Sequence, residues 1–235
     1  MPELPREQPP LPEQKHQTLS DETFRRSIAS LEDFRKYCHN RPVIRGLEQT
    51  RHQAAGQSVF EHTQSVLLYL RTDELRNIKL GDMTISTPDL MRKVALYHDV
   101  EKILEGGRTK IIGKRRAADD AIREIKSVDS GFFQTAEDEK VFRVLLETCD
   151  YFGYHIALLD RQGTSNRDAL KQLLEKKLIE PLEALEQEGI EIDYEDFLRI
   201  QYEISRADTM GIEPFRRNVG SVDRLFEALN DAFAY

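Results

Sequence analysis

Residues 58–75 read SVFEHTQSVLLYLRTDEL and residues 87–107 read TPDLMRKVALYHDVEKILEGG. How these two stretches coil decides the fold. In the first, Ser58 followed three residues later by Glu61 has the form of a capping box. Val59, Val66, Leu67 and Leu70 then recur at helical steps, which predicts a helix over 58–75. His62 stands three residues after Val59 and four before Val66, so it shares their inward face. In the second, Thr87 as cap and Pro88 at the first helical position predict a helix that stops near Gly106-Gly107. His98 falls seven residues after Met91 and four after Val94, and Asp99 follows on the face of Ala95 and Leu96.

Outward from these stretches the chain also reads as helices. Ser20 predicts a helix to about Cys38 through Phe24, Ile28, Leu31 and Phe34. Further helices are expected over 115–127, 136–150, 167–178, 194–209 and 222–232, with Lys110–Ile112 extended and 160–168 a polar loop. Five of the nine prolines lie in the first dozen residues, so 1–18 is expected to be a disordered Pro-rich tail before a single helical domain over 19–235. The fold class expected is all-α. In the helix over 194–209, Asp208 continues the stripe of Phe197, Ile200 and Ile204 toward the core.

Composition narrows the functions. No apolar run approaches the roughly 18–20 residues of a bilayer span, so a membrane-spanning protein is excluded at this stage. The 34 basic and 42 acidic side chains give a net charge of -8, which argues against nucleic-acid binding through bulk positive potential but leaves room for a local basic patch. Cys38 and Cys149 are too few for a disulfide scaffold and form no CxxC pair. The N-terminal segment has neither the apolar core of a secretory signal nor an Arg-rich transit pattern, and a cytoplasmic location is expected.

Two inward histidines beside two inward aspartates carry the chemistry. A buried carboxylate without a partner costs several kcal/mol, so the set calls for a compensating cation. Imidazole and carboxylate donors without thiolate suit one divalent ion: Mn, Fe, Co, Ni or Zn, with Mg also compatible. Taken singly, an inward histidine is more often a hydrogen-bonded core residue than a ligand, and an aspartate near a helix end is commonly a cap.

The order of these residues and their local wording, SVFEHTQSVLLYL, then RKVALYHDVEK, then EISRADTMG, resembles the HD superfamily of metal-dependent phosphohydrolases over about residues 45–212. The phrases GLEQTRHQAAGQSVFEHT and RADTMG are most similar to the HD domains of bacterial tRNA nucleotidyltransferases and their stand-alone relatives. The resemblance implies an HD-domain helical bundle with His62, His98, Asp99 and Asp208 as metal ligands. It also implies a phosphate-contacting role for Lys102, which matches the HDxxK form. The chain departs from two-metal relatives, which place a Gly-His-Glu phrase after the doublet. Here that stretch is Gly113, Lys114, Arg115, Arg116, so a single-metal centre is expected.

The activity implied is hydrolysis of a phosphate ester of a nucleotide or nucleic-acid end, with water activated by the metal, bound and oriented by Asp99, and charge on the phosphate met by Lys102. His155 is open between an additional ligand, a proton donor to the leaving group and a packed histidine among Tyr151, Phe152 and Tyr154. His52 is expected in a loop at the entrance. The cations Arg108, Lys110, Lys114, Arg115 and Arg116 are either a solvated helix start or phosphate-holding groups, and Arg206 is a second candidate clamp. The alternative from another class is an HD-like module without catalysis that binds RNA or a protein partner. The last helix, with Val222, Leu225, Phe226, Leu229 and Phe233, could pack internally or form a homodimer.

Overall fold

The computed structural model describes residues 18–52, 56–76, 78–81, 83–105, 108–149, 172 and 175–233. Among them the chain is helical apart from one two-stranded antiparallel hairpin. The helices are α1 Asp21–Ser27, α2 Leu31–Tyr37, α3 Pro42–Arg45, α4 Val59–Tyr69, α5 Thr87–Tyr97, α6 Lys114–Val128, α7 Ala136–Thr148, α8 Glu180–Glu186, α9 Tyr194–Gly211 and α10 Val219–Phe233. The strands β1 Lys102–Glu105 and β2 Arg108–Ile111 lie between α5 and α6, in a register that pairs Lys102 with Ile111 and Glu105 with Arg108.

The layers follow from the apolar stripes. Helix α4 lies along α9, α5 packs across α4 and α7, α6 lies on α7, and α10 closes the far side of α9. Val66, Leu67, Leu90, Met91, Val94, Phe142, Leu145, Phe197 and Ile200 are buried in one continuous core. Val222, Leu225 and Leu229 of α10 join it, and Phe226 stacks on Tyr202 with ring centroids 4.3 Å apart. The apolar face of the last helix therefore packs on the core at Val222, Leu225 and Leu229. No helix among the described residues is long and apolar enough to cross a membrane.

Three element boundaries differ from expectation, each for a local reason. The helix expected over 20–38 is two helices, because Ser30 caps a new start by accepting from the Asp33 amide. The helix of residues 58–75 ends at Tyr69, since the amide and hydroxyl of Thr72 are drawn to the buried Asp21 carboxylate. Helix α5 begins on a Ser86 cap and ends at Tyr97, with His98 as its C-cap, well short of Gly106-Gly107. After a turn over 99–101, Lys102–Glu105 and Arg108–Ile111 form the hairpin strands, on either side of the Gly-Gly pair in the sequence. The tail (1–17), the polar loop 160–168 and most of the helix expected over 167–178 lie outside the described residues.

Two buried ionic nodes tie the layers together. Asp21 binds the Thr72 amide (2.6 Å) and hydroxyl (2.5 Å), and Arg92 from α5 (3.0 Å), joining α1, the end of α4 and α5. On the other side Arg41 bonds Tyr97 and Asp129, Tyr97 bonds Glu124, and Lys93 also pairs with Asp129. Burial alone would raise the carboxyl of Asp21, but its bonds to Thr72 and Arg92 hold it below the usual carboxylate range. Asp129 is depressed in the same way by Lys93 and Arg41. A depressed folded-state value means stability that is present above the unfolded value of about 3.9 and lost as pH falls through the folded value. We therefore expect urea midpoints that hold steady near neutrality and fall below about pH 4. Asp21→Asn should start from a lower midpoint at pH 7 and show a shallower acid limb; an unchanged acid limb would assign the loss to other carboxylates.

Candidate metal centre

Four elements deliver the centre. The capping box at Ser58 and Glu61 sets the rotation of α4, and that rotation turns His62 inward until it is fully buried. The C-cap of α5 presents His98 and Asp99 side by side, both buried, at the point where the chain leaves the helix for β1. Asp208 comes from the last turn of α9, and His52 from the segment before α4. That segment folds back on itself through a bridge between Arg51 and Ser58 and a bond from the His52 amide to the Gln57 carbonyl (2.9 Å).

The donor atoms converge. His62 Nε2 is 2.8 Å from Asp208 Oδ1 and 3.3 Å from His98 Nε2. His98 Nε2 lies 3.6 Å from Asp99 Oδ2 and 3.7 Å from Asp208 Oδ1, and His62 Nε2 lies 3.7 Å from Asp99 Oδ2. Ligand bonds of about 2.0–2.2 Å in octahedral or tetrahedral shells place neighbouring donors about 2.8–3.6 Å apart, close to the 2.8–3.7 Å seen. Two groups of metal-capable donors arise, His62 with His98 and Asp208, and His52 with His62 and Asp99.

The hydrogen bonds fit a cation. His98 Nδ1 is 2.7 Å from the Ala95 carbonyl, so it donates there and leaves the Nε2 lone pair facing the cluster, the usual support for a ligating imidazole. Among the described residues, Asp99 Oδ2 is buried with no hydrogen-bond partner, although three imidazole nitrogens surround it. A charged oxygen left in that state costs more than the roughly 1–3 kcal/mol of a neutral orphan, and a bound cation removes the cost. Burial would raise the Asp99 carboxyl, yet His98, Lys102 and His62 hold it far below the ordinary range. Asp208 is likewise depressed, against the pull of burial, by His62 and His98. Burial opposes the charge on His98, but Asp99 and Asp208 outweigh it and lift the imidazole to about 9, so without an ion Nε2 carries a proton that a bound cation would displace to free the lone pair. His52 moves the other way, to about 4, through burial and the nearby Lys102 and His62.

Of the residues expected from sequence, His62, His98, Asp99, Asp208 and Lys102 meet. Lys102 Nζ is 2.5 Å from Asp99 Oδ1, and its side chain is 24% exposed; that of Asp208 is 30% exposed, so the centre opens to solvent at these two residues. Lys114 reaches Glu101 Oε1 and the His98 carbonyl, each at 3.4 Å, so it braces the doublet from behind. Arg115 and Arg116 are exposed at the start of α6, and Lys110 is exposed on β2. For Arg108 the strand pairing with Glu105 is described but the side chain is not, and His155 lies outside the described residues. Arg206 does not join the cluster. It stands two residues before Asp208, about 200° around the helix, and shares a face with Tyr202 toward α10.

Two participants were not anticipated in these roles. His52 lies in irregular chain beside the open side, as expected, but it is part of the cluster itself: its side chain is 8% exposed, its Nε2 is 3.6 Å from Asp99 Oδ2 and 3.2 Å from Lys102 Nζ, and its ring lies 4.4 Å from that of His62. Gly211 ends α9, and a Cβ built there would meet Val66 Cγ2 at 3.1 Å and His62 Cε1 at 3.3 Å. In sequence it reads as an ordinary helix-ending glycine; in the fold it lets α9 approach close enough for Asp208 to reach His62. Gly211→Ala is expected to weaken Mn or Ni binding by about 10- to 100-fold, the range for groups that orient ligands. Calorimetric titration would show it, and unchanged affinity would mean that α4 and α9 adjust freely.

Comparison of the chain with protein-family models, with curated proteins and with solved structures found no match. The site is therefore read from its own geometry and from the order of its motifs.

Proposed function

We propose that the protein is a metal-dependent phosphohydrolase or phosphodiesterase of the HD type, acting on a nucleotide or nucleic-acid phosphate ester. The observation that carries this reading is Asp99 Oδ2, buried, without a hydrogen-bond donor among the described residues, and within 3.6–3.7 Å of three imidazole nitrogens. His62, His98, Asp99 and Asp208 would hold the ion. A divalent ion there lowers the pKa of water and withdraws charge from a phosphoryl oxygen.

The chain's own side chains do the rest. Asp99 is fixed through Oδ1 by Lys102, so its other oxygen is oriented at no further entropic cost. The half-buried Lys102 ammonium faces the open side and can pair with a phosphate oxygen as negative charge develops. Arg115, Arg116 and Lys110 lie exposed on the hairpin and at the start of the helix that follows, where a longer anionic substrate would pass. Surrounding apolar residues of α4, α5 and α9 keep water from the rear of the centre.

The test uses the full chain purified without chelator. Elemental analysis should find bound transition metal, and a generic phosphodiester and phosphomonoester should turn over with added Mn or Ni. A protein that neither retains nor takes up metal would end this reading.

A further inference from the structure

A second convergent set overlaps the first. His52 Nε2 and Asp99 face one another across a space that already contains a cation, the ammonium of Lys102, 3.2 Å from His52 Nε2 and 2.5 Å from Asp99 Oδ1. An ammonium has donors only, so His52 Nε2 accepts from it and its lone pair points into that space. A metal ion would require the same lone pair. Asp99 thus turns Oδ1 to the lysine and Oδ2 to the imidazoles, His52 Nε2 at 3.6 Å among them, so that one carboxylate meets the ammonium with one oxygen and the ring nitrogens with the other.

Lys102 is also pinned. Its amide donates to the Asp99 carbonyl at 3.0 Å, and it opens β1, paired with Ile111. The side chain therefore leaves the backbone at a set place, with a buried imidazole on one side and a buried carboxylate on the other.

We infer that the Lys102 ammonium takes the place of a second divalent ion, so that the centre holds one metal, and that shortening this side chain opens a second metal site between His52 and Asp99. The inference rests on the metal reading of the first set, and the two can fail separately. A fixed ammonium supplies one positive charge beside the substrate that no chelator removes, whereas an ion would supply two and dissociate.

The experiment is Mn titration of the chelator-treated full chain by equilibrium dialysis with elemental analysis, together with electron paramagnetic resonance of the loaded protein. The wild type should bind one Mn with an isolated-ion spectrum. Lys102→Ala should bind two, with the spectrum of a spin-coupled pair, and adding His52→Ala should return it to one. Lys102→Arg, which keeps a cation, should stay at one, and Lys102→Ser replaces the alanine variant if that folds poorly. Two ions in the wild type, or one in both shortened variants, would overturn the inference while leaving the first site standing. No ion in the wild type would remove the metal reading and this inference with it.

Discussion

Asp99→Asn is expected to abolish the proposed metal retention and turnover together, with Mn or Ni affinity falling by at least about 100-fold, beyond the 10- to 100-fold typical of groups that only orient a ligand. The reason lies in how much converges on this one carboxylate. Oδ2 is the atom that three imidazoles surround, and Oδ1 is the anchor of Lys102. An amide in its place carries no charge and turns either its oxygen or its NH2 toward the imidazoles, so the cation attraction is lost. Circular dichroism separates this from unfolding: the metal-free variant should keep the helical content of the metal-free wild type, while its melting temperature falls with the lost pairing to Lys102. Metal content by elemental analysis and phosphodiester turnover at saturating Mn are the readouts. A variant that keeps its metal would show that Asp99 is a structural carboxylate.

The second large effect is on stability. Arg92→Met should destabilise the protein by about 3–5 kcal/mol, the cost of leaving one partner of a buried ion pair unmatched. For a chain of this size that corresponds to a fall in melting temperature of about 6–20 °C. Arg92 lies across the ring of Phe24 at 4.7 Å and reaches Asp21 Oδ1, the Thr72 hydroxyl and the Leu19 carbonyl with one nitrogen. Methionine keeps most of the stem and its packing, so the loss is chiefly electrostatic. Combining it with Asp21→Asn should recover part of the loss, since the stranded carboxylate is then neutral. A double variant as unstable as the sum of the two singles would show that the sites do not couple.

Helix α4 was readable because Ser58, Glu61 and the Val59–Val66–Leu67 stripe all agree, and the inward turn of His62 follows from the same period. The first helix was misread as continuous because its stripe runs unbroken through Ile28 and Leu31; the Ser30 cap interrupts the backbone without interrupting the pattern. The hairpin after α5 was missed except at Lys110–Ile111, because KILE and RTKI are too short for periodicity to separate strand from helix. Arg206, a candidate clamp from sequence, stands outside the cluster, as its spacing of two from Asp208 on one helix requires.

By itself the amino-acid order determined that the chain is helical and that His62, His98 and Asp208 turn inward on their own helices. Those are properties of local periodicity and capping, which act over a few residues. Only the tertiary structure decided that α5 stops at the doublet, that these helix faces meet, that His52 lies inside the cluster, and that Lys102 fills the space beside Asp99. Distances of 2.8–3.7 Å between residues up to 146 positions apart depend on how α4, α5 and α9 cross. Those crossings are set by packing contacts such as Gly211 against His62 and Val66, in which neither partner can be read from its own neighbours in the chain.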